Sequence, residues 1–509
     1  MTPSENPVPP ESQEGRTGTG YLVGFALPSP LRNWIGMAGL LCAAGGGFSF
    51  LLLFLLDLFA PYSNPYVGVV AYLIAPGIGL LGVVVMVIGA LIQRRQLKEA
   101  APGAPPPFLS IDTNRPRDRR RLVYFFFGSI VFLTLVSLGS YRSYHFMESV
   151  SFCGQACHVP MKPEFTTYQN SPHARVSCSE CHIGEGAEWY VKAKISGMYQ
   201  TYATTFDKFE RPIATPIKNL RPAQETCEHC HWPKKFIGNT DRTYTRFLGD
   251  DKNTPYSVRL LLKVGGGDPT NGPVGGIHWH MNVGNKVEYV ATDEKRETIP
   301  WVRMTDPQGV VTEFVTPDFK GPPDKGQIRR MDCMDCHNRP SHIFQSPNDA
   351  VDLALSVGRI DRKIPGIKRE AVALLDASYS TETEALEKIA TGLHDKYASD
   401  PRLKETISEV QRIFKQNFFP EMKANWKAYP TNTGHKEWPG CFRCHDGQHR
   451  TPDGKQSIKA NDCTACHVIL AQGTEAEMEK MTAKGEAFHH PGGDFGDMKC
   501  FECHGSAAK

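Results

Sequence analysis

Seven times along the chain a pair of cysteines is followed at once by a histidine. The sites are Cys153/Cys157-His158, Cys178/Cys181-His182, Cys227/Cys230-His231, Cys333/Cys336-His337, Cys441/Cys444-His445, Cys463/Cys466-His467 and Cys500/Cys503-His504. The first pair has three residues between its thiols and the other pairs have two. Two thiols so spaced can form thioethers to the vinyl groups of a porphyrin while the next imidazole meets the iron, which is the attachment pattern of a c-type haem. Zinc sites and disulfides also use cysteine, but neither needs a histidine directly after every second thiol. Seven covalently bound c-type haems, with their iron, are therefore expected. The cysteine left over, Cys42, lies in an apolar run and reads as a buried, inert thiol.

Each such iron has a second axial position, and the ligand there tunes its potential. Eighteen histidines leave enough outside the motifs to fill these positions. His435 and His449 flank the fifth motif and His489-His490 precede the seventh, so His435, His449 and His490 are candidates. His278-Trp279-His280 would put both imidazoles on one face of a strand, turned either to a haem or to solvent. His145 and His394 stand apart from the motifs and read as surface residues.

The elements that must carry these sites divide sharply. Apolar residues concentrate before residue 140 and the motifs begin after residue 150. Residues 1–30 read as a disordered cytoplasmic tail. Within 31–140, the runs 34–56 and 67–92 carry no charge and can each cross a bilayer, and 122–138 is just long enough, so three transmembrane helices are expected. The loop 93–121 holds eight Lys and Arg residues, whereas 57–66 holds none. Positive loops stay inside, which puts the N-terminus in the cytoplasm and the motifs in the periplasm of a bacterial inner membrane. A net charge of +3 gives no field for nucleic acid.

Beyond residue 141 long apolar segments are scarce, and the porphyrins would supply the missing apolar mass. The fold class is a membrane-anchored multihaem cytochrome c whose periplasmic domain is haem-nucleated, mainly helical and irregular, with a small antiparallel β insertion. Haems one to three fall in 141–240, a β-rich insertion in 241–325, the fourth haem in 326–345, a helical segment in 346–430 and the last three haems in 431–509. Strands are expected at 256–264, 277–283, 286–292, 301–305 and 310–315, with a turn at 306–309. The run 265–267 reads as a flexible glycine loop. In the helical segment Asp400 is the expected N-cap, ahead of Pro401 and a stripe of Leu403, Ile407, Val410 and Phe414.

From Cys153 to Tyr202 the chain resembles the NapC/NirT family of membrane-anchored quinol dehydrogenases. The marks are a preceding anchor helix, Met161 soon after the first motif, Ser171-Pro-His173, the second motif, Lys194-Ile-Ser-Gly197 and Tyr202. Three spans followed by seven haems is also the layout of the seven-haem inner-membrane cytochrome of metal-reducing bacteria, to which the chain is similar. The resemblance implies an electron-transfer protein that takes electrons from the membrane quinol pool at the first haem and passes them to a periplasmic redox protein or multihaem cytochrome. It also implies that Met161 ligates the first haem in place of, or opposite, His158, that His173 reaches the fourth haem and that His342 ligates the third. The family's haem-ligating lysine falls near Lys192 or Lys194, and its acidic residue near the first haem falls on Gln200. Lys192, Lys194, Gln200 and Tyr202, with Tyr199, form the candidate quinol site. The alternative is an electron-relay or docking subunit of a larger respiratory or photosynthetic membrane complex, without a quinol site. Haem catalysis is disfavoured, since no Cys-x-x-Cys-Lys occurs.

Overall fold

The computed structural model describes residues 31–59, 74–99, 111, 115–184, 187–217, 220–266, 275–282, 284–459, 462–496 and 498–505. The tail 1–30 and the stretches 100–110 and 112–114 of the basic loop lie outside these residues. The chain forms two units, Met1–Ser143 and Tyr144–Lys509.

The first unit holds α1 (Trp34–Phe59), α2 (Ala75–Glu99) and most of α3 (Pro116–Met147). Asn33 starts α1, its side chain accepting from the Gly36 backbone N–H at 2.6 Å. Small residues let α1 and α2 approach backbone to backbone: a Cβ on Gly39 would lie 2.5 Å from the Met86 nitrogen, and one on Gly82 would lie 2.3 Å from that of Ala43. Such close packing is how helices associate in lipid, where no hydrophobic effect draws them together. Phe48, Leu51, Leu80 and Leu81 point outward, and both helices are long and apolar enough to cross a membrane. Cys42 is exposed on α1, contrary to expectation, because an apolar run in a lipid-facing helix need not be buried in protein. Along α3, Val123, Phe127, Ile130, Phe132, Leu135 and Leu138 are exposed.

The second unit begins with α4 (His158–Gln169) and α5 (Ala187–Thr205). Strands β1 (Thr240–Phe247) and β2 (Pro255–Leu262) form an antiparallel sheet with β7 (His467–Gly473). β3 (Lys286–Val290), β4 (Trp301–Thr305), β5 (Val311–Val315) and β6 (Arg329–Arg330) form a second sheet in the order β5-β4-β3-β6. Four of the expected strands are thus β2 to β5. The fifth is a 3₁₀ helix, Ile277–Met281, and β1, β6 and β7 are additions. Because β7 pairs with β2, Leu262 opposite His467, the first sheet joins the insertion to the sixth motif and does not close on itself.

Between the fourth and fifth motifs stand α6 (Pro347–Ser356), α7 (Ile367–Asp376), α8 (Glu382–Tyr397) and α9 (Leu403–Asn417). Ser346 and Thr381 cap α6 and α8 by accepting from backbone N–H groups three residues on. Val351, Ile367, Ile389, Leu393 and Val410 are fully buried, so this region has a hydrophobic core of its own. The scarcity of long apolar runs hid it, since amphipathic helices spread their apolar residues at intervals. Asp400 does not cap α9: the helix starts at Leu403, and the Asp400 carboxylate instead takes the Arg402 backbone N–H at 2.9 Å and its guanidinium at 2.8 Å.

Candidate functional site

Each motif is a short turn that brings its two thiols to one side. Cys178–His182, Cys333–Cys336 and Cys500–His504 are α-helical, and Gly440–Arg443 and Cys463–Ala465 are 3₁₀ turns. Residues three apart on a helix share a face, which is the geometry two thioethers to one ring require. The first motif solves its extra residue with a different turn. Phe152–Ala156 is a π turn, whose wider winding absorbs one more residue per repeat.

The thiols of the seven pairs are not all held alike. Cys157 falls outside the π turn that carries Cys153 and closes it as the C-cap, with φ −99° and ψ 43°, because the extra residue carries the second thiol past the end of the turn. From the third pair to the seventh, one thiol of each pair is exposed and the other half-buried, and the exposed Cys503 Sγ donates to the Met498 Sδ at 3.3 Å. Forming a thioether at Cys503 gives up that contact, which is a weak one between two sulfurs.

Six motif histidines each face one other imidazole. His182 faces His342 with ring centroids 6.3 Å apart, His231 faces His173 at 6.1 Å and His337 faces His278 at 6.3 Å. His445 faces His280 at 6.0 Å, His467 faces His435 at 6.3 Å and His504 faces His490 at 6.1 Å. An imidazole nitrogen sits about 2 Å from a metal it ligates and about 1 Å from its own ring centre, so two rings across one iron stand about 6 Å apart. The residues present therefore fit axial pairs. Burial pushes the pKa of His182, His280, His337, His342, His435, His467 and His504 down, which keeps them in the neutral, metal-binding form.

The second nitrogen of several rings is fixed by a backbone carbonyl. Nδ1 lies 2.6 Å from the Val264 oxygen in His278, 3.0 Å from that of Ile277 in His280, 3.0 Å from that of Glu164 in His342 and 3.3 Å from that of Pro340 in His173. Donation there leaves the Nε2 lone pair for a metal. The pair of the sixth motif lacks this support, since Nδ1 of His435 and of His467 is buried without a partner.

Four expectations about ligands change. His173 faces the third motif histidine and His342 the second, not the fourth and third. The reason for His342 is Arg339, whose guanidinium binds Glu164 on α4 at 2.9 Å and donates to the His342 carbonyl at 2.7 Å, turning the chain back toward Cys178–His182. His278 and His280 do not share a strand face: on a 3₁₀ turn, residues two apart diverge, so one ring goes to the fourth motif and the other to the fifth. His449 is excluded as a ligand, because Nδ1 bonds Asp446 at 2.9 Å and Nε2 bonds the Ile299 carbonyl at 2.7 Å.

The glycine run is likewise not slack. Gly266 has φ +128°, and a Cβ there would lie 2.2 Å from the His278 carbonyl carbon, so the loop is packed under the histidine turn. Gly267 lies outside the described residues. A further group went unread in the sequence: Asp335, between the fourth pair of thiols, takes the Tyr289 hydroxyl at 2.6 Å, Arg329 at 3.1 Å and Arg296 at 3.2 Å. An acid inside the motif was the only local signal for it.

The first six motifs neighbour one another in chain order. Hydrogen bonding from Cys178 holds the Cys153 thiol down at about 7, and hydrogen bonding with Cys333 raises Cys227. Burial raises Cys181, with the charge of Cys230 adding to it. Burial likewise raises Cys336 and Cys466, and each also feels Cys441. The seventh motif meets the fifth through Lys499, whose ammonium lies 5.5 Å from the Phe442 ring centre.

The first motif is different. His158 is exposed, and Met161 lies one turn along α4 on the same face. Nearby α5 exposes Val191, Ile195, Met198, Tyr199 and Tyr202, with Phe206 exposed just past its end. Lys192 lies 4.6 Å from the Trp189 ring centre, Gln200 donates to Ser196 Oγ at 3.1 Å, and Lys194 lowers the Cys153 thiol electrostatically after the larger influence of Cys178.

Residues 115–214 match the N-terminal region of the NapC/NirT cytochrome c family. The chain is 40% identical over 497 residues to the cytochrome c-type protein ImcH of Geobacter sulfurreducens, covering 94% of this chain and 96% of that protein. No solved structure matches it.

Proposed function

The chain belongs to the NapC/NirT cytochrome c family, as a membrane-anchored electron-transfer c-type cytochrome, and from that premise we propose that it oxidises membrane quinol beside its first motif and delivers the electrons to a periplasmic redox protein. Seven haems, one per motif, are held by the fourteen motif cysteines, from Cys153 and Cys157 to Cys500 and Cys503. Bound haem supplies at each iron a one-electron couple that cycles while the axial ligands stay in place. The observation that carries this reading is the set of six imidazole pairs at ring separations of 6.0 to 6.3 Å.

At the first motif His158 and Met161 share one helix face, so they cannot take opposite sides of one ring, and Met161 acts in place of His158. The apolar stripe of α5 suits an element lying at the lipid boundary, with its polar residues among the exposed tyrosines. Lys192, Lys194 and Tyr202 offer polar contacts to a quinol hydroxyl there. Gln200 can orient that hydroxyl but cannot take its proton, which passes to another base or to water. α3, with its outward apolar face, serves as a third span, and the eight basic residues of 93–121 keep that loop and the N-terminus cytoplasmic.

Replacing Lys194 or Gln200 is expected to slow reduction by a quinol analogue far more than reduction by dithionite, which reaches any exposed haem. Quinol reduction that survives every change between Met161 and Tyr202 would instead make the chain a relay subunit fed by another protein.

A further inference from the structure

Arg443 sits buried between the two thiols of the fifth motif, and all its hydrogen bonds go to carbonyls. Nε donates to Gly440 at 2.9 Å, Nη1 to Arg296 at 3.0 Å and Nη2 to Asp335 at 2.6 Å. No carboxylate hydrogen-bonds this cation in the described structure. Its electrostatic neighbour is Glu297, whose two carboxyl oxygens are both buried and have no hydrogen-bond partner.

The other charges around Glu297 are committed elsewhere. Asp293 accepts from the backbone N–H groups of Glu297 at 3.1 Å and Thr298 at 2.7 Å, and Lys295 donates to the Ala428 carbonyl at 3.0 Å. Arg296 and Arg329 are turned to Asp335, together with the Tyr289 hydroxyl. The charge next to Arg443 is thus set by whether Glu297 carries a proton. Arg443 in turn acts on both neighbouring motifs, opposing the upward push of burial on Cys336, Cys441 and Cys444.

We propose that Glu297 takes up a proton when the haems of the fourth and fifth motifs are reduced and releases it when they are oxidised. One electron arrives at an iron from the donor, quinol or an electrode mediator, and one proton from solvent converts the Glu297 carboxylate to the acid. An added electron draws a proton to a carboxylate whose charge has no hydrogen-bonded counterpart, and Arg443 links that carboxylate to both sites. Burial holds Glu297 at about 7, so both of its forms are populated near neutral pH. The proposal rests on the haem-holding role of these two motifs and not on the quinol site.

The test is mediated spectropotentiometry of the full-length holoprotein in detergent, with haem content measured on the same sample. In the wild type, the midpoint of one haem component is expected to fall as pH rises through about 7. Glu297→Gln should flatten that component at its low-pH value, and Glu297→Asp should restore a slope. An unchanged slope in Glu297→Gln overturns the proposal. A haem content below seven in the wild type would instead reveal failure of the haem reading. Should Glu297→Gln fail to acquire haem, the wild type carrying ¹³C at its glutamate carboxyls decides. Its reduced-minus-oxidised infrared spectrum must gain an isotope-shifted carboxylic acid band, and absence of that band overturns the proposal.

Discussion

The first motif and the six that follow share a sequence pattern but not an environment. His158 is exposed on a helix that also carries Met161, and among the described residues no imidazole ring faces it. The other six motif histidines each meet a ring from outside their own motif, from His490 close before His504 to His280 far from His445. Attachment is thus a local property of two thiols and a turn, whereas ligation is a property of the fold. The difference suits the proposal that the first site receives electrons beside α5 and the later sites pass them on, because an imidazole pair would leave an iron no open position for substrate.

The sharpest way to break the comparison is to give a later site an unpaired motif histidine. His342→Ala is expected to leave all thioethers intact while one iron changes from low to high spin and one midpoint shifts. Optical and paramagnetic spectra of the purified variant check this, and unchanged spectra would detach His342 from any iron. Glu164→Ala acts one step further out. It removes the carboxylate from the buried Arg339 while leaving the Glu164 backbone carbonyl on His342 Nδ1, and should cost about 3 to 5 kcal/mol in chemical denaturation, the range for stripping a partner from a buried ion pair.

Ile389→Ala probes the helical core instead. A fully buried isoleucine cut to alanine should cost about 2 to 5 kcal/mol, with every haem spectrum unchanged. A spectral change would mean that α6 to α9 and the imidazole pairs are not separate supports. The smallest effect concerns Glu297. Its carboxyl is held above the ordinary 4.5, at about 7, so the native state binds more protons than the unfolded chain between those values. That contribution is full below the unfolded value and is lost as pH rises through about 7. Glu297→Gln should therefore be more stable than the wild type by about 1 to 2 kcal/mol at about pH 8, after allowing for solvent screening, and should show no advantage at about pH 4. Urea midpoints at the two pH values measure it.

Much of this architecture could be read before any fold was known, because its signals are local. Thiol spacing marked the short turns of the motifs, uncharged length marked α1 and α2, and alternation marked β2 to β5. What escaped depends on contacts between distant residues. His342 follows His337 by five residues yet faces His182, because Arg339 finds its carboxylate on α4. His449 follows His445 by four residues and seemed placed to ligate, but a carbonyl from the loop before β4 occupies its second nitrogen. The pair His278 and His280 was read with a strand period, and the 3₁₀ turn sent the two rings to different motifs. β7 could not be joined to β2 from pattern alone, since register across 200 residues leaves no mark on either strand.

One motif stands against six, and a spin count reads that contrast directly. Paramagnetic resonance of the fully oxidised, full-length protein, integrated against its measured haem content, should give six low-spin irons with paired imidazoles for every one of a different kind. That seventh signal should be the one altered by Met161→Ala. Seven equivalent bis-imidazole irons, or fewer than six, would contradict it.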